Sequence, residues 1–389
     1  MHELELLDFL RSSRPDWLEA LRGLVNHESP SRDKAALDAL AQTLAGRFEA
    51  IGGRVSVVAN PVGGDHLLAR FFEDGPNLSD ARPTLILGHF DTVWPRGTLA
   101  SMPFRVEGER AFGPGVYDMK ASLVQVEFAL DAIRKLELRP RKPVEVLMTS
   151  DEEIGSPTSR TLIEDRARAA AEVLVVEPPL ADGSLKTARK GVGDYRITVR
   201  GRAAHAGVEP EQGISAVEEL ARLILTLHGL TDHRVGTLVN VGAIEGGTTS
   251  NVVAARATAQ VDVRARTLLQ AEALDAAIRS LQPHHPEARI TVEGGFNRPP
   301  MERTPGGVAL FERAQQVGRT FLQFGEGSTG GGSDGNFTAA LGVPTLDGLG
   351  IEGAGAHAGH EQIDLTSFPE RATLLARLLL DLGWNRLEP

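Results

Sequence analysis

The chain has 389 residues, 41% of them hydrophobic and 24% charged, with a formal net charge of −11 and no cysteine. That length exceeds what one hydrophobic core commonly serves, so two domains are expected. The absence of thiols excludes disulfides, cysteine-based zinc sites and thiol nucleophiles. The acidic balance disfavours nucleic-acid binding and suits attraction of metal cations.

The opening segment, MHELELLDFL, is acidic and lacks the basic-then-apolar pattern of a signal peptide. No run approaches the roughly 18 apolar residues of a membrane span, so a cytoplasmic protein is expected. Residues 4–10 and 16–25 read as short amphipathic helices parted at Pro15, and 34–51 as a longer one. Strands follow at 54–59 and 67–72, then a short apolar strand at 84–88 that ends at His89. Residues 120–136 read as a helix. Residues 144–149 and 173–176 read as buried strands, followed by Asp151-Glu152-Glu153 and by Glu177 respectively. Apolar strands that alternate with helices predict an α/β sheet, whose ligands bind beyond the carboxyl ends of the strands.

The pattern then changes. A strand at 194–201, a helix at 211–229, strands at 236–244 and 252–264, a helix at 267–281 and a strand at 289–293 give the β-α-β-β-α-β order of a ferredoxin-like unit. It reads as an insert at 190–300, with 1–189 and 301–389 forming the enclosing domain.

Several segments carry chemistry. In GHFDTV, His89 and Asp91 are two apart and point the same way in an extended chain, so Asp91 could orient an imidazole that binds metal. In GPGVYDMK the third glycine of a dinucleotide loop is replaced by Asp118, which argues against nucleotide binding. Asp118 could ligate a metal or cap the following helix, and the two roles compete for its oxygens. The Asp151-Glu152-Glu153 cluster repels itself unless cations or solvent offset it, and its adjacent glutamates can divide between ligation and proton transfer. Near the C-terminus a glycine-rich loop holds His357 and His360, with His357 four residues before Glu361. Upstream, the loop around Gly331 offers backbone N–H groups to a ligand. His205 could cap a turn, and Arg264 could pair with Asp262.

Together these motifs, in order from His89 to Glu361, resemble the di-zinc metallopeptidase family of glutamate carboxypeptidase, aminoacylase and succinyl-diaminopimelate desuccinylase. The run HFDTVWPRGTLASMPFRVEGERAFGPGVYDMK is similar to the glutamate carboxypeptidase branch. The resemblance implies two zinc ions, for which cobalt or manganese could substitute. Their ligands would be His89, Asp118 as bridge, Glu153, Glu177 and His357, with His357 preferred to His360. It implies Glu152 as general base, Asp91 behind His89, and a cis peptide after Asp118. In the insert, GRAAHAG implies that His205 reaches the active site of a partner subunit. Asn251 and Arg264 would hold the substrate carboxylate, with Gly331 nearby. The expected protein is an α/β zinc peptidase with an inserted ferredoxin-like lid through which it forms a homodimer. It would cut an amide beside a free carboxylate in an N-acyl amino acid or short peptide, with glutamate favoured. A deacylase or dipeptidase of the same family is the alternative, followed by a metal-dependent binding protein without catalysis.

Overall fold

The computed structural model describes residues 2–74 and 81–380. Its chain divides into two compact units. The larger comprises Met1–Thr187, Arg303–Ser328 and Ser333–Pro389, and the smaller Ala188–Glu302 with Thr329–Gly332. The last segment, a glycine-rich stretch, lies outside the 190–300 insert expected from the sequence.

The larger unit is built on a six-stranded mixed sheet. From one edge its strands run Arg54–Val58, His66–Phe71, Val144–Thr149, Thr84–His89, Glu172–Val175 and Thr345–Leu346. The first two pair antiparallel and His66–Phe71 pairs antiparallel with Val144–Thr149; the remaining pairs are parallel. Both faces are covered, which is why the central strands read as near-continuous apolar runs. Alternate residues serve the two faces. Ile86, Val146 and Leu174 enter a core with the helices Lys34–Ala50, Ala121–Lys135 and Ser367–Leu379. Leu85, Leu87, Leu147, Val173 and Val175 enter the other, against Ile163 and Phe337.

The smaller unit has the expected β-α-β-β-α-β order. Its strands Gly191–Arg200, Leu238–Gly246, Arg256–Ala265 and Arg289–Arg298 form an antiparallel sheet in which the Gly191–Arg200 strand lies between the third and the last. One face packs on the helices Ala216–His228 and Leu268–Arg279, with Tyr195, Ile197, Val199 and Val261 in the core. The first helix starts later than the expected 211–229: a short 3-10 turn at Pro210–Gln212 precedes it. Ser215 then caps Ala216–His228 by accepting the Glu218 N–H. Among the described residues no helix is long and apolar enough to cross a membrane.

Candidate metal centre

Register brings the acidic motifs of the larger unit together. Gly88 pairs with Met148 and His89 with Thr149, while Leu87 pairs with Val175. These parallel strands therefore end side by side, and whatever follows each one lands at the same edge of the sheet. His89 is the last residue of its strand; Asp151, Glu152 and Glu153 follow the second, and Glu177 the third.

Asp118 lies between two histidines. Its Oδ1 is 3.2 Å from His89 Nε2 and its Oδ2 is 3.4 Å from His357 Nε2. His89 Nε2 is also 3.6 Å from Glu177 Oε1, and His357 Nε2 is 3.1 Å from Glu153 Oε2. The donor atoms of His89, Asp118 and Glu153 lie within 4.8 Å of one another, as do those of His89, Glu152 and Glu177. One carboxylate thus faces two sets of donors, His89 with Glu177 and His357 with Glu153, as a bridging ligand would. His360 is exposed, and it is His357 that joins the cluster.

The capping alternative for Asp118 does not hold. Its backbone is non-helical (φ −117°, ψ 89°), the Asp118–Met119 peptide is cis, and the next helix begins at Ala121 after an N-cap at Lys120. The loop is held instead by Glu361, which accepts the N–H groups of Gly115, Tyr117 and Asp118 at 2.8–3.0 Å and the Trp94 indole N–H at 2.7 Å. A short strand, Gln362–Asp364, pairs antiparallel with Arg110–Phe112 and delivers Glu361 to the loop. The sequence marked Glu361 only by its spacing from His357; a buried carboxylate that folds the Asp118 loop around itself had no signal there.

Asp91 reaches further than expected. Its Oδ1 lies 3.3 Å from His89 Nδ1, but its own carbonyl oxygen is closer, at 3.0 Å. The carboxylate also accepts the N–H groups of Glu152 and Glu153 at 3.1 and 3.2 Å. One side chain therefore fixes both the imidazole and the turn that carries the two glutamates. Asp151 anchors that turn from behind: it accepts from the N–H and hydroxyl groups of both Thr158 and Ser159.

The electrostatics call for cations. Burial opposes a charge on His89, yet hydrogen bonds to Asp118 and Asp91 outweigh it and raise its pKa well above the ordinary imidazole value. Asp118 and then Glu153 push His357 up to about 10. Burial raises Glu153, whereas at Asp118 the two imidazoles outweigh burial and hold the carboxyl well below its usual range. A buried set of carboxylates in excess of imidazoles, with no sulfur, fits divalent zinc and similar N/O-bound ions.

The other expected residues belong to the smaller unit. His205 is exposed and its Nδ1 accepts the Gly207 N–H at 3.2 Å; its backbone forms an antiparallel bridge with Val252, in which the Asn251 carbonyl accepts the Ala206 N–H and the Ala204 carbonyl accepts the Val253 N–H. Asn251 is exposed, with its Oδ1 bonded to Thr249. Arg264 pairs with Asp262 through two bonds of 2.9 and 2.7 Å, the pairing its strand position suggested, and its Nη1 reaches the Gly330 carbonyl at 3.3 Å. Gly331 is exposed, and its carbonyl accepts from Arg189.

Residues 85–381 match the model of peptidase family M20/M25/M40. The chain belongs to that family. It is 33% identical over 384 residues to carboxypeptidase G2 of Pseudomonas sp. (strain RS-16), covering 95% of this chain and 90% of that relative. Acetylornithine deacetylase of Edwardsiella ictaluri is 28% identical over 278 residues, covering 66% and 69% of the two chains. Among solved structures, aminopeptidase PepT from Bacillus cereus superposes with a TM-score of 0.78 at 21% identity, covering 94% of this chain and 98% of the other. The protein is therefore an enzyme, a metallopeptidase of the carboxypeptidase and amidohydrolase class, and the cluster around Asp118 is its candidate metal centre.

Proposed function

We propose that the enzyme releases a C-terminal amino acid, preferentially glutamate, from an N-acyl amino acid or short peptide. Two zinc ions would serve the cut, one held by His89, Asp118 and Glu177, the other by His357, Asp118 and Glu153. The observation that carries this reading is the placement of Asp118, one oxygen toward each histidine, with a separate carboxylate beside each. Zinc bound there would polarise the amide carbonyl and lower the pKa of water toward about 7.

The chain's own residues do the rest. The family resemblance supports Glu152 as the general base beside the ligand Glu153, while Asp151 is tied to Thr158 and Ser159; Glu152 takes the proton from water and returns it to the leaving amine. Asp91 keeps Glu152 and Glu153 in register by holding both of their N–H groups. His205 accepts a hydrogen bond at Nδ1, which leaves Nε2 with the proton in the neutral ring. An exposed Nε2–H of this kind suits donation to a developing oxyanion, in a site completed by a second copy of the chain. Asn251 and Arg264 hold the substrate carboxylate, with the Gly331 backbone beside it. Asp262 fixes the plane of the guanidinium before the substrate arrives.

Glu152→Gln should keep its full complement of metal and lose turnover by about 10²–10⁴-fold. Near-normal turnover in that variant, with metal content unchanged, would remove Glu152 as the base. A panel of N-acyl-glutamate, N-acyl-alanine and N-acyl-lysine distinguishes the glutamate preference from a broader deacylase.

A further inference from the structure

The helix-free face of the smaller unit's sheet carries a run of like charges. Arg200 is the direct cross-strand partner of Arg256 on one side and of Arg289 on the other. All three side chains are exposed, and none has an ion pair or side-chain hydrogen bond among the described residues. Directly opposed like charges destabilise a sheet. In a chain of net charge −11 such a row is also no device for solubility. Arg196 lies on the same face of the same strand, four residues before Arg200.

The row stands beside a cavity of about 430 Å³ lined by Arg196, Arg256, Thr258, Glu245 and Val252 among others. That volume is in the range of small-molecule sites. The acidic groups facing it are Glu245 in its wall and Glu293, the cross-strand neighbour of Arg196. Two carboxylates against four guanidinium groups leave this end of the face positive; toward its other end Asp194 lies opposite Asp262, which Arg264 pairs. Val252 bridges to His205 and follows Asn251, so the cavity adjoins the loops assigned above to the substrate.

We propose that this face binds a small multivalent anion, carboxylate or phosphate in character, across Arg196, Arg200 and Arg256. Planar guanidinium groups in register on neighbouring strands can each donate paired N–H bonds to such a group. The anion has two possible sources: an acidic acyl end of the substrate, which rests on the amide-hydrolase reading, or a free anion, which does not.

The test uses the metal-loaded full-length chain at low ionic strength. Inorganic phosphate is titrated calorimetrically into the parent, Arg200→Gln and Arg196→Gln proteins, and melting temperatures are read without phosphate. The expected result is a phosphate affinity at least about tenfold weaker in both variants, with a melting temperature for Arg200→Gln equal to or above that of the parent. In parallel, kcat/KM is compared for two N-acyl-glutamates of equal length, one acyl chain ending in a carboxylate and one in a methyl group. A roughly tenfold fall in the acidic-to-neutral ratio in Arg200→Gln identifies the substrate as the source; an unchanged ratio with weakened phosphate binding identifies a free anion. Phosphate affinity and ratio both unchanged in the variants would overturn the proposal. So would a lower melting temperature in Arg200→Gln, since the guanidinium would then be held by the protein itself. The phosphate arm reads out even in a chain that hydrolyses no amide, so the two readings fail separately.

Discussion

Asp118 has two neighbours that a ligand inventory would miss, Asp91 behind His89 and Glu361 beneath the Asp118 loop. Removing either acceptor leaves every direct ligand in place but frees the backbone that aims it. Asp91→Asn removes charge from a carboxylate whose Oδ1 faces His89 and accepts the Glu152 N–H and whose Oδ2 accepts the Glu153 N–H. We expect metal affinity to drop about 10–100-fold, measured by competition with a chromogenic chelator. An unchanged affinity would mean that the carbonyl of residue 91, which lies closer to His89 than the carboxylate does, suffices. Glu361→Gln exchanges an acceptor-only group for one that brings its own donors to a place where only N–H groups point. A comparable loss of affinity is expected. The sequence displayed His89, Glu153 and Glu177 because they lie at or just beyond the ends of apolar strands, whereas Asp118 and His357, in glycine-rich loops, stood out as ligands through the family resemblance. It hid Glu361, since the partners that give this carboxylate its purpose are backbone groups more than 240 residues away in the chain.

Among elements, the strands that the sequence revealed were those with an apolar run buried on both faces, as at Thr84–His89 and Val144–Thr149, or with the alternation of a half-buried sheet, as in the smaller unit. Those it did not reveal are of two kinds: Arg105–Glu107 and Arg110–Phe112, short and largely exposed, hold together through pairing with each other and with Gln362–Asp364, whereas Leu185–Arg189 and Thr345–Leu346 are buried but too short to show a period of their own. The helix Arg160–Ala169 was likewise unread, because it buries only Ile163 and Ala167 among its charges. Tight junctions between elements were invisible too. A Cβ on Gly350 would stand 2.5 Å from the Val176 carbonyl oxygen and 2.8 Å from that of Glu177, both backbone atoms that cannot step aside. Gly350→Ala should therefore cost about 1–3 kcal/mol and weaken metal binding through Glu177; a variant as stable and as well loaded as the parent would refute this. At the far end of the same strand, Glu172 ties the sheet to a helix. Burial opposes its charge, but Arg313, paired through two bonds of 3.0 Å, and Lys142 hold its pKa down to about 2. Its folded-state pKa is depressed, so its stabilising contribution is complete above about 4.5 and fades as the pH falls toward about 2. Glu172→Gln should lower stability at pH 7 by about 3 kcal/mol and flatten its fall below pH 4.5. A denaturant series at several pH values checks both, and parallel pH curves for the two proteins would contradict the assignment.

For the whole molecule, the order of elements was legible because the change from strand–helix alternation to β-α-β-β-α-β marks a change of unit. The segment Thr329–Gly332 was not: it joins the smaller unit from the far side of the sequence, through contacts such as Arg264 with Gly330 and Arg189 with Gly331. The most direct test of the account is metal stoichiometry. Purified apoprotein is titrated with zinc while bound metal and hydrolysis of N-acyl-glutamate are read together, in the parent and in Asp118→Asn. We predict activity that rises with zinc to two equivalents per chain, and an Asp118→Asn protein that no longer binds a second equivalent. A folded parent that hydrolyses its substrate fully after exhaustive chelation, or an Asp118→Asn protein that fills as the parent does, would contradict it.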